Sequence, residues 1–457
     1  MKSLRTIGKL SGLGAALVAA ISGCALAPSA AEKQARTEVA RIGTAIRPAS
    51  PKPPLPDLRT DSPLTDYVHF AVLNHPRIEA AYHDWRATVS VIAPTRALPD
   101  PQVTFEADIA DTLMTFMPGL MFDFMAPAKR AAMGQEAVGA SRVAYRVYAG
   151  EVLAVAASVR KAWLELAYVD EALRLRESSL HAFDLATAVA GADYTTGRGM
   201  GTLEIQVRLA NDAAKVRSEL TALGYRRDAA RIRFRSTLGL APTAADPAWP
   251  QASLAPTTLP SEDELWRRAQ AANPELGRMR AMVEMALAGI GVARQGATPD
   301  FSLGAMADFK ASPLMVRPTA TVTLPIWREK IAANIAAAEA RRDAAVARVN
   351  AEQLNLAAEL AQMLYMVRES ERMIAYIEQS ALPNYERAIA TLEAGYQSGM
   401  NGPGMIPEIR IMALAMRVER AAALRDRESA VTDLMLLTAD VAPPGAPLLA
   451  ESSLSAR

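Results

Sequence analysis

Two kinds of hydrophobic spacing divide this chain. Over residues 102–109, Val103, Phe105, Ala107 and Ile109 alternate with Gln102, Thr104, Glu106 and Asp108. Over 113–126, Met114, Phe116, Leu120, Phe122 and Phe124 oppose Thr115, Met117, Gly119, Met121, Asp123 and Met125. The pattern returns at 301–310, with Phe301, Leu303, Ala305, Ala307 and Phe309 against Ser302, Gly304, Met306, Asp308 and Lys310. At 314–326 Leu314, Val316, Ala320, Val322, Leu324 and Ile326 oppose Met315, Arg317, Thr319, Thr321 and Thr323. A period of two predicts strands with one face in an apolar medium and the other in water. Strands of about 9–13 residues are long enough to cross an outer membrane at a tilt. Elsewhere the spacing is three and four: Val152, Val155, Val159, Ala162, Leu166, Val169, Leu173, and then Leu356, Leu360, Met363, Val367, Ser370, Ile374, Ile377, Ala381. That spacing predicts long coiled-coil helices over about 129–192 and 328–396, with Ser370 the one polar lapse and Pro383 an interruption. About sixty helical residues extend roughly 90 Å, far beyond what a globular core needs.

The two patterns recur with an offset of about 200 residues. Asn74-His75-Pro76 answers Asn273-Pro274, and Leu98-Pro99-Asp100 answers Thr298-Pro299-Asp300. Pro127 with Lys129 and Arg130 answers Pro325 with Arg328 and Lys330, and Tyr194-Thr195-Thr196-Gly197 answers Tyr396-Gln397-Ser398-Gly399. Four landmarks in one order indicate a duplicated unit. Each unit reads helix (64–96, 261–296), two strands, very long helix, glycine-rich turn and return helix (201–238, 405–438). The chain therefore divides into repeats at 64–240 and 261–440, a linker at 241–260 and a tail at 441–457. Residues 24–63, rich in proline, are expected to be an extended tether with little core of their own. The fold class expected is mainly α with a small β part. Four strands cannot close a barrel, and an open edge in lipid leaves backbone groups unpaired, so the chain must oligomerise.

Composition adds a compartment and removes several chemistries. Lys2, Arg5 and Lys9 precede the short apolar run Gly12–Ile21, which is too short to span a bilayer and reads as a signal peptide over 1–23. Ile21-Ser22-Gly23-Cys24 resembles the bacterial lipobox, which makes Cys24, the only cysteine, the expected site of lipidation. Net charge is +1 with 22% charged residues, so no broad basic surface for nucleic acid is implied. Aromatics at 5% are low for a protein made chiefly of barrel. His69, His75, His83 and His181 lack metal-ligand spacing, and Gly197-Arg198-Gly199-Met200-Gly201 has no phosphate-binding context. No enzyme, bound metal or cofactor is expected.

The duplicated order of Asn-Pro, Pro-Asp, Pro with Lys or Arg, and Tyr-x-x-Gly resembles the TolC-like outer-membrane efflux family, over about residues 64–440. The resemblance implies a homotrimer with a twelve-stranded barrel continuous with a twelve-helix periplasmic tunnel. It also implies an outer-membrane location, a periplasmic adaptor and an inner-membrane pump as partners, and a passive exit duct as function. The turns carrying Tyr194, Gly197, Tyr396 and Gly399 become the periplasmic tips, flanked by Asp193, Glu204, Glu393 and Glu408. Met117, Met121, Met125, Met306 and Met315 fall on the polar, lumen-facing side of the strands. Thioethers suit soft ions such as Cu(I) and Ag(I), and Pro99-Asp100-Pro101 and Pro127-Ala128-Lys129-Arg130 look closer to the heavy-metal branch. The same methionines also serve as filler in a barrel. Drug efflux or type I secretion remains an alternative. So does a lipoprotein scaffold without a pore; a periplasmic adaptor is disfavoured, since it needs a lipoyl-like domain.

Overall fold

The structure, a computed structural model, describes residues 27–46, 55–109, 113–196, 203–309, 313–398, 405–442 and 445–448. Its helices are α1 (Ala30–Ile46), α2 (Leu64–Asn74), α3 (Pro76–Arg96), α4 (Pro127–Thr196), α5 (Leu203–Thr237), α6 (Glu262–Ala272), α7 (Pro274–Gln295), α8 (Arg328–Tyr376), α9 (Leu382–Gln397) and α10 (Met405–Leu437). Strands β1 (Gln102–Ile109), β2 (Leu113–Phe124), β3 (Asp300–Asp308) and β4 (Met315–Thr323) form one antiparallel sheet in the order β1-β2-β3-β4. The chain is mainly α with a small β part. No described helix is long and apolar enough to cross a membrane.

The duplication shows in matching joints. In the first repeat the short helix ends at Asn74 and in the second at Ala272, with Asn273 as its cap, and in each a new helix begins on the proline that follows. Proline suits a first helical turn because its missing N–H needs no partner there. Asn74 donates its side-chain amide to the carbonyls of Leu238 and Gly239 at 3.1 and 3.2 Å. Asn273 donates to Leu437 at 3.3 Å. Both tie the start of a repeat to the end of its return helix. In the first repeat His75 Nδ1 accepts the Arg77 N–H at 3.2 Å as the helix cap, whereas in the second Asn273 also caps, accepting from Leu276 N–H at 2.9 Å. The single helices expected over 64–96 and 261–296 are thus helix pairs, broken by the proline.

The 70-residue α4 is the central shaft. It packs on α3, α5, α7 and α10, while α8 packs on α7 and α10. Around α4 lies a core of Tyr67, Tyr82, Trp85, Tyr145 and Tyr148, with Trp85 stacked on Tyr148 at 5.7 Å. A π-turn at Ile377–Ala381 separates α8 from α9. Pro383, two residues beyond it, cannot donate a backbone hydrogen bond and crowds the preceding turn, which widening relieves.

One expectation is corrected. The leader is not extended throughout: Ala30–Ile46 is helical and buries Val39, Ile42 and Ile46 in the main core. Its prolines lie at Pro28 and from Pro48 onward, outside the helix, and the apolar spacing of three and four faces α3. Buried Glu32 accepts from Arg36 at 2.6 Å and from Arg96 Nε at 2.7 Å, and Tyr82 donates its hydroxyl to the Val39 carbonyl at 3.0 Å. The start of α1 therefore sits at the end of α3 that leads into β1.

Candidate functional site: a two-faced sheet

The strand registers carry the period-two pattern across the whole sheet. Val103 faces Leu120, Phe122 faces Leu303 and Phe124 faces Phe301, which faces Val322. This apolar face is exposed in the single chain, including Val103, Phe105, Leu120, Leu303, Val316 and Val322. Its rings stack, Phe105 on Phe116 at 5.6 Å and Phe124 on Phe301 at 5.3 Å. Exposed Trp327 stands where β4 gives way to α8. An apolar surface of this extent needs an apolar medium.

The opposite face is polar and built in cross-strand rows. Nearest the helices, Asp123 accepts from Gln102 at 2.9 Å and from Ser302 at 2.5 Å. Further out, Met121 lies between Gln102 and Gly304, with Thr319 beyond. The next row runs Thr104, Gly119, Met306, Arg317. A Cβ on Gly119 would stand 2.4 Å from Met306 Cγ, so Met306 lies directly over that glycine. Met117, opposite Glu106, is buried at 3% exposure, and Met315, opposite Asp308, is exposed.

The five methionines are therefore not one cluster. Met117, Met121, Met306 and Met315 share the polar face in neighbouring rows, while Met125 lies past the end of β2. Among the described residues no group of three or more His, Cys, Asp and Glu could hold a metal ion. Tyr194 is exposed in the last turn of α4, and Tyr396 falls in the last turn of α9. Cys24, Gly197 and Gly399 lie outside the described residues. Glu393 pairs with Arg410 at 2.8 Å, and Glu408 with Arg208 at 2.6 Å, joining the two return helices near their far ends.

One feature escaped sequence reasoning. Glu428, fully buried on α10, accepts from the Thr257 N–H at 3.0 Å and the Thr257 hydroxyl at 2.6 Å. Arg427 reaches Glu428 at 2.5 Å and Glu371 of α8 at 2.9 Å, while Arg160 of α4 donates to Thr257 Oγ1 at 2.8 Å. The linker between repeats is thereby pinned to α10 and α4, and Arg427 ties that clamp on to α8. The only sequence signal was the charged run Arg425-Asp426-Arg427-Glu428 inside a helix otherwise rich in alanine and leucine.

Residues 265–440 match the family model described as outer membrane efflux protein. Among solved structures the chain superposes on CusC, studied in folding and transmembrane channel formation, with a TM-score of 0.69. Identity there is 17% over 86% of this chain and 98% of that one. The chain has the fold of the outer-membrane channels. The CmeC outer membrane channel of Campylobacter jejuni gives a TM-score of 0.68 at 13% identity, covering 86% of this chain and 88% of its own. The open-state MtrE outer membrane channel of Neisseria gonorrhoeae gives 0.68 at 15%, covering 85% and 91%. No curated protein matches.

Proposed function

We propose that this chain is the outer-membrane channel of a tripartite efflux system, a homotrimeric passive duct fed by an inner-membrane pump through a periplasmic adaptor. The observation that carries the reading is the two-faced sheet mounted on a 70-residue shaft. Its apolar face meets lipid, its polar face lines the lumen, and the shaft of about 105 Å at 1.5 Å per residue reaches deep into the periplasm. No step of bond making is required; the energy comes from the pump. Cys24 carries the lipid, a reading supported by the position of α1 beside the sheet end of α3. The tips near Tyr194, Gly197, Tyr396 and Gly399 meet the adaptor. The test is single-channel recording of the purified protein in a planar bilayer. Discrete conductance steps support the duct, and a silent, correctly folded protein returns the scaffold reading.

Soft metal ions such as Cu(I) or Ag(I) are the cargo we favour, on the strength of four thioethers on the polar face. Replacing Met117, Met121, Met125, Met306 and Met315 together by Leu is expected to lower copper and silver resistance at least several-fold while drug resistance stays unchanged. Unchanged metal resistance with normal protein levels in the membrane leaves the methionines as filler.

A further inference from the structure

Helix α7 lies between the two long helices of the chain, packed on α4 along one side and on α8 along the other. On the face between those contacts its side chains are small, with Ala286, Gly289 and Ala293 a turn apart. Ala337, Ala338 and Ala345 of α8 are equally short where they meet it. Such residues do not fill the space above their own backbone. The result is an open groove of about 670 Å³, floored by α7 and walled by α4 and α8. Sites for drug-sized molecules occupy about 300–1,000 Å³.

The α4 rim fixes which side of the wall the groove opens on. Lys129 at that rim pairs with Asp300. Asp300 stands opposite Thr323 and two residues from Ser302, on the polar face of the sheet. The groove therefore opens on the same side as that face, at the end of the helices that leads into the strands. On the channel reading above, on which this step rests, that side is the lumen.

The two walls differ in charge. Arg341 and Arg348 line the α8 wall two turns apart, about 10 Å along the axis at 1.5 Å per residue. Both are exposed, and neither has an ion-pair partner among the described residues. On the α4 wall the charge of Lys129 is spent on Asp300, and Glu136 is acidic. A Cβ on Gly289 would stand 3.0 Å from Glu136 Oε1, so this carboxylate reaches down to the floor. Met282 and Met285 add polarisable apolar surface at the end away from the sheet. Two unpaired guanidinium groups beside an apolar floor match a molecule with an apolar body and a carboxylate, sulfonate or phosphate group.

We infer that the groove is a lumenal seat for an amphipathic organic anion of drug size. Its apolar body lies on α7, Arg341 and Arg348 hold its anionic group, and Glu136 repels that group from the opposite wall. The seat is separate from the methionines of the sheet and independent of a metal cargo.

The experiment titrates carboxyfluorescein, an aromatic anion that does not enter bilayers, with the full-length protein in lipid nanodiscs, reading fluorescence anisotropy. Physiological salt screens attraction beyond about 8 Å. Saturable binding is expected. Arg341→Gln with Arg348→Gln is expected to weaken it at least tenfold, and Lys at both positions to recover part of the loss. Glu136→Gln should tighten it several-fold. Ala293→Phe fills the floor, keeps every charge and should abolish saturation; Ala286→Phe replaces it where that variant fails to assemble. Arg342→Gln, removing a charge that pairs with Asp343 at 2.7 Å off the groove, should leave affinity unchanged. No saturable binding, equal affinity in the Gln pair, or weaker binding in Glu136→Gln overturns the seat. So does a normal affinity in both Phe variants, which would leave only general attraction to the lumen. Loss of the heat-stable oligomer in the Gln pair would assign both arginines to a contact between copies, and also overturns it. Planar-bilayer recording of the same preparation separates the failures. Conductance steps without dye binding remove the seat alone, and a silent folded protein removes the channel reading with it.

Discussion

Single residues at the repeat joints carry different loads. Asn273 is buried and does two jobs, capping α7 and holding the Leu437 carbonyl, whereas Asn74 does only the second and leaves capping to His75. Losing a cap costs about 1 kcal/mol, and orphaning a buried carbonyl about 1–3 kcal/mol. Asn273→Ala is therefore expected to lower the thermal midpoint more than Asn74→Ala, as read by circular dichroism. His75 brings a pH dependence. Burial, with Arg77 close by, pulls its imidazole below the ordinary 6.5, outweighing Glu151 and the Ser236 backbone, which act the other way. The folded state thus favours neutral His75, whose Nδ1 must be free of a proton to accept from Arg77. Its stabilisation is complete above about pH 6.5 and is lost as pH falls through the depressed folded value. Denaturation midpoints at pH 7.5 and pH 5 should converge in His75→Asn, which keeps an acceptor but cannot titrate.

Elements are joined by close approach in the sheet and by buried charge in the shaft. A Cβ on Gly304 would lie 2.6 Å from the Leu120 carbonyl oxygen, which is backbone and cannot move aside. At Gly119 the nearest obstacle is the flexible Met306 side chain. Gly304→Ala is expected to cost most of the heat-stable oligomer seen on unboiled gels, and Gly119→Ala to cost less than half. In the shaft, Glu428→Gln leaves Arg160 without its carboxylate and Arg427 with Glu371 alone. Breaking a buried ion pair from one side costs about 3–5 kcal/mol. Limited proteolysis should then open the linker near Thr257, and an unchanged cleavage pattern would show that the linker is held by other contacts.

At the scale of the whole molecule, the two halves are tied most lightly at the end far from the sheet. Arg208 and Glu408 are both partly exposed, and such pairs contribute about 0–1 kcal/mol. Arg208→Glu should leave the thermal midpoint nearly unchanged while speeding amide exchange in the first turns of α5 and α10. Exchange that stays slow would mean that packing of Ile411 with Leu209 and its neighbours holds this end by itself.

The alternating strands, the long helices and the duplication were legible because each is a period, and periods survive without knowledge of what packs where. Parity alone assigned Phe105 and Thr104 to opposite faces, and the strand registers agree. Helix α1 was not legible, because flanking prolines dominated a short stretch whose apolar positions acquire meaning only against α3. The pairing of β2 with β3 across 175 intervening residues (125–299), the Glu428–Thr257 clamp and the exposed stripe of Tyr225 and Ile232 were decided by tertiary structure alone. Periodicity states which medium a side chain prefers. Which partner supplies that medium depends on contacts between segments far apart in the chain, or between copies of it.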